Sequence, residues 1–136
     1  MRDLALFAHI IFGLALIALP AMIIFESKRK SSLIKPLSLT AAGVSWLLLL
    51  PAGVLYTVFY PATKTLIKAG SWPWAHAVVM ETKEHWGLLL PIISTVAAWL
   101  VFTGRIKESK RWWGLVAVLS IMLFVMGRIV KMGAFT

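Results

Sequence analysis

The sequence predicts an all-α integral membrane protein, an up-down-up-down four-helix bundle forming one domain over residues 1–136. Three observations predict it. Of 136 residues, 60% are hydrophobic and 14% charged, against roughly 45–50% and about 25% in soluble domains. That much apolar surface exceeds what a small water-soluble core can hide. The apolar residues fall in four runs, each near the ~20 residues that a spanning helix needs. Finally, the Lys and Arg residues, 14 against 5 Asp and Glu, gather largely between the runs. A soluble enzyme, a disordered tail and a secreted disulfide scaffold are excluded. With no cysteine, so are thiolate metal sites, iron–sulfur ligation and thiol catalysis.

The first helix is expected over about 4–25, from Leu4 to Phe25, ending at the charged run Glu26, Lys28, Arg29 and Lys30. Its start lacks the basic region and small-residue cleavage site of a secretory signal. The second is expected over 36–60, with Pro36 in its first turn and Pro61 as its stop. The third, over 72–103, has Ser71 as cap, Pro73 in the first turn and Gly104 as C-terminal stop. The fourth is expected over 112–131. No internal repeat or low-complexity segment is read.

The charge excess has a topological reading. Lys28, Arg29, Lys30, Lys35, Arg105, Lys107, Lys110 and Arg111 lie in the 26–35 and 104–111 connections. The positive-inside rule places these loops in the cytoplasm and both termini outside. The net charge of +9 then concerns orientation and anionic headgroups, and no nucleic-acid partner is expected. Trp112 and Trp113 are expected at the inner interface; Tyr60, Trp72 and Trp74 at the outer one.

Ionisable residues inside spans are functional candidates. Here they are His9 on the first helix, His76, Glu81, Lys83, Glu84 and His85 on the third, and Arg128 with Lys131 on the fourth. Counted from the cytoplasmic ends, His9 and Arg128 lie roughly 24 Å in, Gly53 roughly 25 Å and His85 roughly 27 Å. One layer near the outer face therefore collects two histidines and a cation. His9 and His85 at one depth on diagonal helices are what two axial ligands of a haem iron require. Gly13 and Gly53 leave room for a flat ring, and Phe7, Phe12 and Phe124 suit its faces. Arg128 and Lys131, three residues apart, would hold its carboxylates. His76, Glu81, Met80 and Met126 are alternative ligands.

Plainer readings apply to the same residues. A lone histidine near an interface more often packs or hydrogen-bonds than ligates, and Arg128 and Lys131 are placed equally well to snorkel. Tyr56 and Tyr60 suit an aromatic belt as well as a quinone pocket. Glu81 and His85, four apart, have the spacing of a helical zinc or iron pair.

On His9, His85 and the Arg128/Lys131 pair, the chain resembles the small four-helix membrane b-type cytochromes: cytochrome b561-like proteins and the haem-bearing membrane anchors of respiratory enzymes. The resemblance implies one haem b, with His9 and His85 as axial ligands and the 61–84 region as docking or quinone-access surface. It further implies electron transfer between quinone or quinol and a redox partner near the outer face. The cytoplasmic half holds no histidine for the second haem that many such proteins carry. Ala8-His9-Ile10 and Trp74-Ala75-His76 are also similar to the HemJ-type protoporphyrinogen oxidases, implying His9 and His76 as functional histidines and a porphyrin substrate. A different class is a cofactor-free structural subunit that packs Ala41, Ala42, Gly43 and Ser45 against other membrane subunits.

Overall fold

The computed structural model describes residues 1–136. They form four long helices: α1 Arg2–Lys28, α2 Ile34–Ala69, α3 Ala75–Phe102 and α4 Ile106–Gly133. Each is long and apolar enough to cross a membrane. α1 and α3 each pack against α2 and α4, so α1 faces α3 across the bundle. Gly104 ends the α3–α4 connection at φ +80°, a left-handed conformation that glycine adopts without a Cβ clash.

Three expected boundaries move. α3 starts at Ala75 without a side-chain cap, so Ser71 does not cap it and Pro73 precedes it. Pro61 does not stop α2, which runs to Ala69. A π-helical turn over Leu55–Phe59 precedes it, and the α-helix restarts at Tyr60 with the proline in its first turn. There its missing N–H would have had no partner anyway. α4 begins at Ile106 rather than near Trp112, so Lys107, Lys110 and Arg111 belong to a helix. An ion pair from Arg105 to Glu108 braces that start.

Both inner helices are interrupted in the same way. Pro51 and Pro91 lack the N–H that would bind the carbonyl four residues back, and the α-helical ladder breaks at Leu48 and Leu88. Against the expectation of no internal repeat, the surrounding residues form a short one: Trp-x-Leu-Leu-Leu-Pro at 46–51 and again at 86–91. On one side of the prolines, the 34–47 part of α2 packs closely on the 89–102 part of α3. Small side chains allow it: Ser38, Ala41, Ala42 and Ser45 meet a face containing Ser94, Ala97 and Ala98, all buried. The Trp46 indole N–H donates to Thr95 Oγ1 at 2.9 Å across this contact. Ala41, Ala42 and Ser45 are thus used inside the bundle, and Gly43 alone of that group faces outward.

Beyond the prolines the pairing changes. α2 leans on α1 and α3 leans on α4, the two inner helices meeting again only near their tips. The core is accordingly divided. A large cluster runs from Ile23, Ile34, Val101 and Trp113 to Leu16, Leu48, Leu90 and Leu123. A small one joins Tyr60, Ile67, Ala75, Met80 and Val130 near the opposite end. Two aromatic expectations change with it: Trp113 is 0% exposed in the core rather than at an interface, and Tyr60 is buried in the small cluster.

Candidate functional site: a cationic apolar cavity

Between the two clusters lies a cavity of about 1140 Å³. Its floor is one leucine from each helix, Leu16, Leu48, Leu90 and Leu123, and Tyr60, Met80 and Val130 line it from the small cluster. The space follows from the helix breaks: once α2 and α3 part beyond their prolines, no side chains fill the gap. Gly13 and Gly53 line it, and a Cβ on either would meet no atom within 4 Å. These glycines keep the volume open rather than bring helices together.

Most of the wall is apolar, and its polar members are unbalanced in charge. Arg2, Lys83, Arg128 and Lys131 stand against Asp3 and Glu84. Lys83 crosses from α3 towards α4, where its Cε lies 3.4 Å from the position of a Cβ on Gly127. His9 lines the cavity from α1, and its buried Nδ1 has no hydrogen-bond partner. Glu84 and Ser120 line the same cavity, and Glu84 Oε1 and Ser120 Oγ are buried without a partner too. Buried polar atoms are nearly always satisfied by protein, water or ligand. Ser38 Oγ, Ser94 Oγ and Trp113 Nε1 in the packed core are unpartnered as well.

Of the residues expected at the site, His9, Gly13, Gly53, Arg128, Lys131 and Met80 meet here, as does Phe124. Phe7 is 65% exposed; Phe12 packs on the large core cluster. Phe59 and Phe135 take their places in the lining.

His85 is not brought to the cavity. It is exposed, and its Nδ1–H donates to the Glu81 carbonyl one turn back at 2.7 Å. The pairing of His9 with His85 across one pocket is therefore corrected. Depth along α3 could be counted, but rotation could not, because the break at Leu88 resets the helical phase between Thr103 and His85.

His76 is buried at 5% exposure. Its Nδ1 is 2.8 Å from the Tyr60 hydroxyl and its Nε2 is 3.5 Å from Glu81 Oε1. A π-helical turn over Ala75–Met80 accounts for this: i to i+5 bonding places residues five apart, as His76 and Glu81 are, one above the other. With the carboxylate at Nε2, the ring carries its proton there and Nδ1 accepts from Tyr60. Tyr56 stacks on Tyr60 with ring centroids 5.6 Å apart, and both tyrosines line the cavity. Tyr60→Phe strands Nδ1 in the small cluster and is expected to destabilise by about 1–3 kcal/mol. Equilibrium unfolding in mixed micelles checks it.

Glu81 faces His76 and not the cavity, so the expected Glu81/His85 chelate does not form: the two side chains diverge. No three His, Asp or Glu side chains converge in a metal-binding arrangement. Arg2, Asp3 and Ser120 escaped notice in the sequence. The first two looked like a terminus, and a single serine in a span carries no signal.

No protein-family model, curated protein or solved structure matches this chain.

Proposed function

We propose that the four helices cross a bilayer up-down-up-down with both termini outside, and that the cavity binds one haem b for one-electron transfer. What supports the topology is the sorting of charge. Lys28, Arg29, Lys30, Arg105, Lys107 and Lys110 stand at the end carrying the α1–α2 and α3–α4 connections, the cytoplasmic end by the positive-inside rule. Outward-facing Leu14, Leu39, Leu50, Ile92, Val118 and Ile121 supply the lipid surface.

The observation that carries the haem reading is His9: an imidazole lining a mostly apolar cavity of about 1140 Å³ whose wall holds four cations against two carboxylates. A macrocycle with two carboxylates needs apolar walls, an axial nitrogen and cations at its edge. His9 would supply the nitrogen, and Met80, buried in the same wall, a thioether. Arg128, Lys131 and Arg2 would hold the carboxylates, and the leucine floor would keep water from the iron. When bound, the group supplies reversible one-electron chemistry between a quinol and a partner at the outer face.

A haemin titration of the purified protein tests this. The wild type is expected to bind one equivalent with a Soret shift. Gly53→Phe is expected to fold at least as well, since a helical glycine gains from substitution, yet to bind little because the phenyl occupies the cavity. Equal binding by both proteins contradicts the assignment.

One observation favours a second reading, a HemJ-like porphyrin oxidase. Tyr60 lines the cavity, and its hydroxyl is linked through His76 to Glu81, a route for protons that oxidation of a porphyrinogen releases. Turnover of protoporphyrinogen with a quinone acceptor distinguishes the two.

A further inference from the structure

A second pocket lies at the end of the bundle away from the haem-sized cavity. It measures about 490 Å³ and is lined by Ser27, Lys30, Ser31, Ile34, Ile106, Lys107 and Lys110. Its chemistry is lopsided: three lysines, two hydroxyls and no carboxylate. The chain has five acidic residues in all, and only Glu26 and Glu108 belong to this end. Each is already engaged by an arginine, Glu26 by Arg29 at 3.8 Å and Glu108 by Arg105. Lys30, Lys107 and Lys110 have no carboxylate within ion-pair distance. Their charge is left available to an anion from outside the chain.

The remaining lining points the same way. Ser31 Oγ accepts the Leu33 N–H at 3.1 Å, which leaves its own proton free to donate. Ile34 and Ile106 open α2 and α4, and neither helix start has a side-chain cap, so their first backbone N–H groups are also available. Lys30 sits at φ +53°, a left-handed conformation costing a non-glycine residue roughly 1–2 kcal/mol. Glycine is the usual occupant after a helix end; a lysine here gains nothing for the fold and adds a cation to the pocket.

We propose that this pocket binds a phosphate group, in the membrane the phosphate of an anionic phospholipid headgroup from the cytoplasmic leaflet. The inference rests on the membrane-spanning reading above and is independent of the haem. Basic pockets between helices on that side hold such headgroups. Lys107 and Lys110, three apart on α4, and Lys30 from the α1–α2 connection approach the anion from two elements, with the Ser31 hydroxyl as a neutral donor.

The test uses the full chain in detergent, with native mass spectrometry reading bound lipid at matched phosphatidic acid and phosphatidylcholine. Wild type is expected to prefer phosphatidic acid. Lys30→Gly should lower that affinity about fivefold, and the triple variant Lys30→Gly, Lys107→Gln, Lys110→Gln on the order of a hundredfold. Lys30→Gly relieves the left-handed strain, so its loss of binding is not a folding defect. Inorganic phosphate, followed by ³¹P line broadening, forms the second arm: saturable millimolar or tighter binding assigns the site to soluble phosphate and overturns the lipid source. Equal binding of the two lipids, or a triple variant that binds as wild type does, overturns the proposal. Alkaline carbonate extraction of the membranes separates the premises: a chain that stays in the pellet yet shows no preference sinks this inference alone, and one released by carbonate sinks the spanning reading.

Discussion

His9→Ala is expected to abolish the b-type absorption of the purified protein, and His85→Ala to leave it unchanged. The difference follows from where the two rings point. His9 lines the cavity with a buried nitrogen that nothing in the chain satisfies, whereas His85 is exposed and spends its Nδ1–H on the Glu81 carbonyl. His9 would supply the one imidazole nitrogen to the group, so its loss should weaken binding by about two orders of magnitude, in the range that changes at metal sites reach. Met80→Leu should retain the pigment and alter its spectrum and potential, because thioether ligation raises the potential relative to two imidazoles. A chain in which His85→Ala bleaches the protein and His9→Ala does not would reverse the assignment.

Trp113→Ala is expected to give the largest loss of stability, about 3–5 kcal/mol. The indole is fully buried where the large core cluster gathers residues of all four helices. Truncation leaves a hole that backbone shifts cannot close, because the neighbouring Ala97, Ala98, Ala41 and Ala42 already hold the helices at close range. Trp113→Phe should be mild by comparison. It keeps most of the packing and removes an indole N–H that is buried without a partner, a group whose desolvation costs about 1–3 kcal/mol. Unfolding in mixed micelles followed by far-ultraviolet dichroism measures both. Near-equal losses for Ala and Phe would mean that polarity, not volume, matters at this position.

How much could be read from the sequence divides along the same physical lines. The four helices were legible because an apolar run of some twenty residues is a signal that tertiary context rarely overrides. His9, Gly13, Gly53, Arg128 and Lys131 were found by counting depth, which works because rise per residue survives small irregularities. Rotation does not survive them. The breaks at Leu48 and Leu88 and the π-helical turns at 55–59 and 75–80 each shift the phase of the residues beyond. His85 therefore faces outward and His76 is buried against Tyr60. The prolines that cause two of these shifts were visible, and the matching Trp-x-Leu-Leu-Leu-Pro segments could have marked where the inner helices part. The π turns had no such mark. Nor did Trp113: beside Trp112 at a helix start it reads as an interface residue, and only the packing of four helices buries it.

The cavity joins these threads, since the prolines open it, the glycines keep it clear and the cations and His9 give it a chemistry. The most direct test is a reduced-minus-oxidised visible spectrum of the full chain purified from its own membrane, with acid extraction of any bound tetrapyrrole. The account predicts b-type bands and close to one haem per chain. A spectrum without such bands, from protein that yields no tetrapyrrole and takes up no added haemin, would contradict it.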